Sequence, residues 1–274
     1  MEVNRSGYYR HLKQAEAEAK TARLENVLMM EVTTLHKQSG ESYGSRRIAK
    51  GLQEKGYPVG RYQARSLMRK GKIHCKQRRR FKVTTQNNPT LAVAENKLNR
   101  AFTVRQLNRV WAADITYLWT QEGWLYLSVV LDLCSRRVIG WSLSIDLREE
   151  LVDKALRMAI SRRRPGEGVM HHSDRGCQYA SHAYQQLLKE HGMIGSMSRK
   201  GNCWDNAVME RFFGSLKSER VSHKKYATRA EAKADVVDYI EMFYNSKRMH
   251  SALGYLSPMQ YENQISRKAV STFT

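Results

Sequence analysis

Acidic residues are scarce in this chain. Its 274 residues hold 26 aspartates and glutamates against 47 lysines and arginines, a formal net charge of +21 and a pI near 10.0. That deficit points to a polyanionic partner, nucleic acid first, although a ribosomal or otherwise generically basic protein has the same balance. Cysteine is scarce as well. Cys75, Cys134, Cys177 and Cys203 show no C-x-x-C spacing, which argues against a cysteine-based zinc site and fits the reduced thiols of a cytosolic protein. No run of about 18 apolar residues occurs, so nothing in the sequence reads as a membrane span. The N-terminal MEVNRSGYYRHLK lacks the apolar centre of a signal peptide. Internal repeats and long low-complexity stretches are missing too. What remains is an ordinary hydrophobic share of 41%, enough for one large domain or a small one plus a medium one.

Residues 11–38 carry helical periodicity, with Leu24, Val27, Leu28, Glu31 and Leu35 at three- and four-residue steps and Gly40 beyond them as a stop. Two short helices follow, about Ser45–Lys55 and Gly60–Lys70, split by GYPVG. Ile48 and Leu52 share one face, as do Ala64 and Met68. Helix, tight break and helix with basic exposed faces is the pattern of a helix-turn-helix, though a plain solvated hairpin has the same outline. Residues 46–82 hold 14 Lys or Arg and a single acid, Glu54. HCKQRRRFK then runs into the polar TTQNNPT, so residues 73–103 read as a linker with a basic arm.

From Arg105 the texture changes. VWAADITYLW, WLYLSVVLDL and RRVIGWSLS are β-rich runs separated by QEG and CSR, short enough for hairpins. LREELVDKALRMAISRR is an amphipathic helix with Leu151, Ala155 and Ala159 on one face. GVMHHSD, SHAYQQLLKEHG, MIGSMS and DNAVMERFFGSLKSER then alternate strand and helix. The expected fold is α/β: a mixed sheet with helices on its faces, preceded by an all-α segment.

Three acids stand out. Asp114 lies in an apolar strand, where a bare carboxylate is costly unless paired or metal-bound. Asp174 ends a strand at a glycine-containing loop, the place where open α/β sheets bind ligands. Glu210 lies one turn into a helix, with Arg211 beside it and Lys217 on the same face, about 10.5 Å up the axis. There are 59 residues between the first two acids and 35 between the second and third. Converging carboxylates repel each other unless divalent cations remove the repulsion, and oxygen-only ligation favours two ions of Mg²⁺ or Mn²⁺ over zinc. Each residue also has a bland reading: a hydrogen-bonded strand aspartate, or a solvated helix glutamate. Asp132 competes, since it too ends a strand, but the following CSRR suits a turn cap. His172 beside Asp174 reads as a hydrogen-bonding, DNA-contacting or structural residue. Trp111, Tyr179 and Trp204 read as core before base-stacking platforms.

With these residues in view, the chain resembles the downstream, catalytic-frame (OrfB-type) protein of bacterial insertion-sequence transposases. These belong to the DDE superfamily shared with retroviral integrases. RSGYY, YGSRRIAKGLQEKGYPVG, NRVWAADITYL, LSVVLDLCSRRVIGW, HHSDRGCQY, SRKGNCWDNAVMERFFGSLK and YNSKRMHSALGYLSP carry the likeness in order from about residue 5 to residue 258.

The resemblance implies a ribonuclease-H-like five-stranded mixed sheet with helices on both faces, preceded by a helix-turn-helix-like segment. The implied boundaries are 1–22 for a helical extension, 23–72 for the DNA-binding segment, 73–103 for the linker, 104–225 for the catalytic domain and 226–274 for a C-terminal helical extension. Asp114, Asp174 and Glu210 become the metal-binding triad. DNA contacts fall to Lys217, Arg211, His172 and Arg248, to Arg46, Arg47, Arg61, Arg65 and Arg69 in the helix pair, and to Arg78, Arg79 and Arg80 in the arm. Asn245 and His250 join Arg248 as DNA or subunit contacts. The implied activity is metal-dependent cleavage and strand transfer at terminal inverted repeats. A branched and then circular intermediate follows, and then integration into target DNA. Implied partners are double-stranded DNA, further copies of the chain, and an upstream-frame protein with a helix-turn-helix and leucine zipper, or a fusion with it, acting at the bacterial nucleoid in the cytoplasm. A ribonuclease-H-type nuclease and a DNA-binding regulator idle without the upstream frame are the alternatives.

Overall fold

The computed structural model describes residues 4–76, 94–199 and 203–271. The chain divides into two compact units, Met1–Gln77 and Arg78–Thr274.

In the first unit, α1 (Arg5–Gln38) begins at Asn4, whose side chain accepts the Ser6 N–H, a standard N-cap bond. The expected stripe on this helix is rotated. Leu24 and Val27 are exposed, and Leu28, Val32 and His36 are the residues that bury. They pack on α2 (Ser45–Glu54) and α3 (Arg61–Lys70), which bury Ile48 with Leu52 and Ala64 with Met68 as the spacing predicts.

The second unit is built on a five-stranded sheet in the order β3-β2-β1-β4-β5. β1 (Val110–Thr120), β2 (Gly123–Asp132) and β3 (Val138–Ser144) are antiparallel neighbours, while β4 (Met170–Ser173) and β5 (Ile194–Met197) run parallel to β1. Side-chain alternation along the strands sends apolar residues to both faces. One face, with Trp111, Ala113 and Val130, packs on α4 (Glu149–Arg163), α5 (Cys177–Ala180) and α6 (His182–Glu190). The other, with Ala112, Leu127, Val129 and Leu131, packs on α7 (Ala207–Glu219), α8 (Arg229–Asp238) and the π-helical turn Tyr239–Tyr244 that continues it. This is the mixed sheet with helices on both faces that the sequence pattern implies. Gly140 lets α4 come close: a Cβ there would meet the Ala155 carbonyl oxygen at 2.1 Å.

Two features differ from expectation. Residues 94–102 are docked, not free linker: Leu98 is buried in the core, and the Lys97 and Leu98 N–H groups donate to Ser196 Oγ. The C-terminal residues also close the fold. Asn245 pairs with the backbone of β3, its Oδ1 accepting from Val138 N and its Nδ2 donating to Val138 O, both at 2.9 Å. That satisfies part of an edge strand that would otherwise present open hydrogen-bonding groups. α9 (Pro258–Ser271) contributes Glu262, which accepts from Arg137 and Arg163.

Candidate active site

Asp114 sits mid-strand in β1. The parallel register pairs Val110 with Met170 and Ala112 with His172, and Asp114 and Asp174 each follow two residues beyond that last pair. Asp174 itself lies just past the end of β4. It is held by its own turn: its Oδ1 accepts the Gly176 N–H at 2.9 Å, while Asp114 Oδ1 accepts the Ile115 N–H at 2.8 Å. A Cβ at Gly176 would press on Asp174 Oδ1 at 3.0 Å.

Burial first, then the Asp174 charge, pushes the Asp114 carboxyl well above the ordinary range; the Ile115 bond offsets part of this, and Glu210 adds to the rise. Burial also raises Asp174, against the Gly176 bond. Burial pulls the Lys217 ammonium down, and Asp114 opposes that. These four groups therefore share one electrostatic neighbourhood, brought together from β1, β4 and α7. Both aspartates are partly buried, whereas Glu210 is exposed. Glu210 acts on Asp114 less than Asp174 does. Among the described residues no three histidine, cysteine or carboxylate side chains are gathered closely enough to hold a metal ion. The chemistry of the donor set still fits a hard divalent cation: the groups are carboxylate oxygens, burial raises the two aspartates, the Asp174 charge adds to the rise at Asp114, and a cation would relieve both.

His172 requires a correction. It is fully buried, and its Nε2 lies 3.1 Å from the Asp205 carbonyl, an acceptor only, so that nitrogen carries the proton. Its Nδ1 then accepts from Ser196 Oγ at 2.9 Å. Burial holds it neutral, its pKa lowered to about 4. It is a strut beneath the site, closed off from DNA here. Arg248 is corrected likewise: buried, it forms a two-pronged pair with Glu219, Nε to Oε2 at 2.8 Å and Nη2 to Oε1 at 2.7 Å. Asn245 is the strand clamp described above, and His250 packs edge-on against Tyr244. Asp132 is the turn cap its sequence suggests, accepting from the Asn108, Cys134 and Ser135 N–H groups. Trp111 and Tyr179 are core, whereas Trp204 is exposed.

Sequence reasoning missed Asp205. Fully buried, it accepts from Arg199 through N, Nε and Nη2, each at 3.0 Å, and from Arg100 Nε and Asn96 Nδ2. The signal was a lone acid between Trp204 and Asn206 ahead of the Glu210 helix. Its partners lie as far as 109 residues away, beyond any local pattern.

In the first unit Arg61, Arg65 and Arg69 are exposed at four-residue steps along α3, beside exposed Tyr62, and Arg46 is exposed on α2. Arg47 is half-buried, its guanidinium 5.2 Å from the Tyr43 ring centroid. Arg211 is exposed on α7. Arg78, Arg79 and Arg80 lie outside the described residues. Among the described residues no helix is long and apolar enough to cross a membrane.

A five-stranded sheet with this order, and acids on β1, after β4 and on α7, defines a ribonuclease-H-like integrase core. The family comparisons agree: the integrase core domain matches residues 104–203 and again 210–265, and an HTH-like domain matches 23–81. The insertion element IS600 uncharacterized 31 kDa protein of Shigella sonnei is 41% identical over 97% of each chain. The transposase InsF for insertion sequence IS3A of Escherichia coli (strain K12) is 46% identical over 83% of this chain and 79% of its own. The fold is shared with a chain of the simian T-cell lymphotropic virus intasome solved with PP2A regulatory subunit B56 gamma, at 15% identity, TM-score 0.50, over 84% of this chain and 73% of that one. The chain belongs to the insertion-sequence transposases of the DDE superfamily, as a catalytic-frame (OrfB-type) member, and so to a family of polynucleotidyl transferases.

Proposed function

We propose that this chain cuts DNA at the terminal inverted repeats of its insertion sequence and transfers the freed strand ends. Asp114, Asp174 and Glu210 would hold two Mg²⁺ or Mn²⁺ ions. The observation that carries this reading is that Asp174, Glu210 and Lys217 all act on the Asp114 carboxyl, the two aspartates lying two residues beyond the paired Ala112 and His172. Bound there, the cations would supply charge neutralisation and Lewis acidity to a phosphodiester. The residues of the chain do the rest. β1 and the Gly176 turn fix the two aspartates before DNA arrives, so little reorganisation is left for the reaction. Lys217 offers positive charge to a phosphate beside the scissile bond, and Arg211 extends that charge along α7. Water is the first attacker and the freed 3′-OH the second, so no covalent protein–DNA bond is required. Arg46, Arg61, Arg65 and Arg69, with the arm at Arg78, Arg79 and Arg80, grip the DNA backbone. The chain acts as a homo-oligomer on DNA, with an upstream-frame protein or as a fusion with it, and its field of action is the nucleoid.

That no three histidine, cysteine or carboxylate groups gather closely enough for a metal ion among the described residues favours a second reading, in which the chain alone idles as a regulator and the triad closes only with DNA or the upstream-frame partner. Both are tested by a cleavage and joining assay in Mg²⁺ on labelled DNA carrying the flanking inverted repeats, with and without the upstream frame. Joined product that disappears in Glu210→Gln supports the transposase. Product only when the upstream frame is added supports the second reading. Cleavage without joining under both conditions would leave a nuclease.

A further inference from the structure

The β1–β2 hairpin carries aromatic side chains that neither core uses. Trp119 is 59% exposed and Trp124 43%, with Tyr117 half-exposed beside them. Trp124 stands edge-on to both others, centroids 4.8 Å from Trp119 and 5.0 Å from Tyr117. Trp119 and Trp124 are direct cross-strand partners, and pinning the hairpin accounts for their proximity. It does not account for so much ring surface left in water. These rings line one side of a groove of about 600 Å³ whose other side is formed by Lys217, Val221 and Lys225. Lys217 Nζ lies 4.9 Å from the Tyr117 ring centroid. The same lysine feels the Asp114 charge, so the groove begins where the candidate active site ends. Lys224, also on the rim, is tied to Asp235 at 2.6 Å, whereas Lys225 is exposed.

From this juxtaposition we propose that the groove binds single-stranded DNA, with unpaired bases stacked on Trp119 and Trp124 and the backbone phosphates held by Lys217 and Lys225. The chemistry selects that ligand. A duplex hides its base faces and cannot use exposed rings, while an unpaired strand offers a π-face at every base. An uncharged apolar partner would desolvate the lysines with nothing in return. The strand is the frayed end next to the scissile phosphate; this rests on the strand-transfer reading above and deepens it.

The test compares the full-length chain's affinity for a blunt duplex with that for the same duplex bearing a single-stranded tail of roughly five nucleotides, a length typical of stacking platforms. Fluorescence anisotropy without divalent metal keeps the readout independent of cleavage. Wild type should bind the tailed DNA about tenfold more tightly. Trp119→Ala and Trp124→Ala should each lose that margin with blunt-duplex affinity intact, and Lys225→Gln should narrow it. Trp119→Phe, which keeps a stacking ring, should retain most of it and so separates stacking from misfolding. A wild type with no margin, or a margin that survives both alanine variants, overturns the proposal. So does a changed sedimentation of Trp119→Ala with the margin intact, which would assign the groove to a protein partner. Failure of the chain to cut or join DNA would sink the strand-transfer reading while leaving this margin measurable.

Discussion

The Asp205 carbonyl takes the Nε2 proton of His172 at 3.1 Å, and that bond ties the strand leading to Asp174 to the turn that starts the Glu210 helix. The Asp205 carboxylate holds Arg199, Arg100 and Asn96 in place around the same turn. Two of the three candidate metal ligands are thus joined through a buried polar network that touches neither.

Asp205→Asn should therefore lower strand cutting tenfold or more while DNA binding survives. The hydrogen bond from Arg199, foremost, holds the Asp205 carboxyl below the usual range. The native state then binds fewer protons than the unfolded chain. Its stabilising contribution is complete above pH about 4 and is lost as pH falls through that value and below. Thermal melts should show the largest gap between wild type and Asp205→Asn near neutrality, shrinking in acid. A gap that widens in acid would contradict the network.

Asp114 has the opposite sign. Its raised pKa means that the native state binds more protons than the unfolded chain, so the carboxylate increasingly destabilises the metal-free protein as pH rises above about 4. Asp114→Asn should raise the melting temperature at pH 8, by about 2–4 °C for each kcal/mol at this size, and change little at pH 4. Mg²⁺ should raise the melting temperature of wild type at pH 8 and leave Asp114→Asn and Asp174→Asn unmoved. An equal Mg²⁺ response in all three would place the cation elsewhere.

Arg248→Ala or Glu219→Ala should each cost about 3–5 kcal/mol, because each strands one buried charge. The pair Arg248→Met with Glu219→Leu should recover much of that loss. Tyr239 donates to the same Glu219 at 2.8 Å and limits the recovery. Urea denaturation of the two singles and the double measures it; additive losses would show that the two residues are not coupled.

Exchanging Arg61, Arg65 and Arg69 for Gln should flatten the dependence of log Kd on log salt by about 0.9 for each phosphate contact removed. Uniform weakening across DNA sequences marks them as backbone contacts, and the same measurement applies to Arg78, Arg79 and Arg80. Loss confined to the inverted repeat would make α3 a sequence reader.

The local elements were legible because local sequence decides them. The β-rich apolar run VWAADITYLW and the spacing of Leu151, Ala155 and Ala159 depend only on local strand and helix preferences, and both became the elements expected. The α1 stripe was misplaced because a long exposed helix repeats several stripes, and the packing of α2 and α3 picks one. His172 stayed open between a DNA contact and a structural residue, and Arg248 fell to DNA, because nothing local separates a basic residue that faces DNA from one buried against a distant partner.

The sequence by itself determined the type of most elements up to α7, the basic character, and which acids stood within a strand, at strand ends and on a helix, since these follow from short-range pattern and composition. Only the tertiary structure decided that β1 and β4 run parallel in a register that brings Asp114 within reach of the Asp174 charge. It also decided that residues 94–102 dock on β5, and that Asp205, Glu219 and Asn245 close the core. Those outcomes depend on strand pairing and charge pairing across about a hundred residues, where the free energy of contact belongs to the fold and to no single segment.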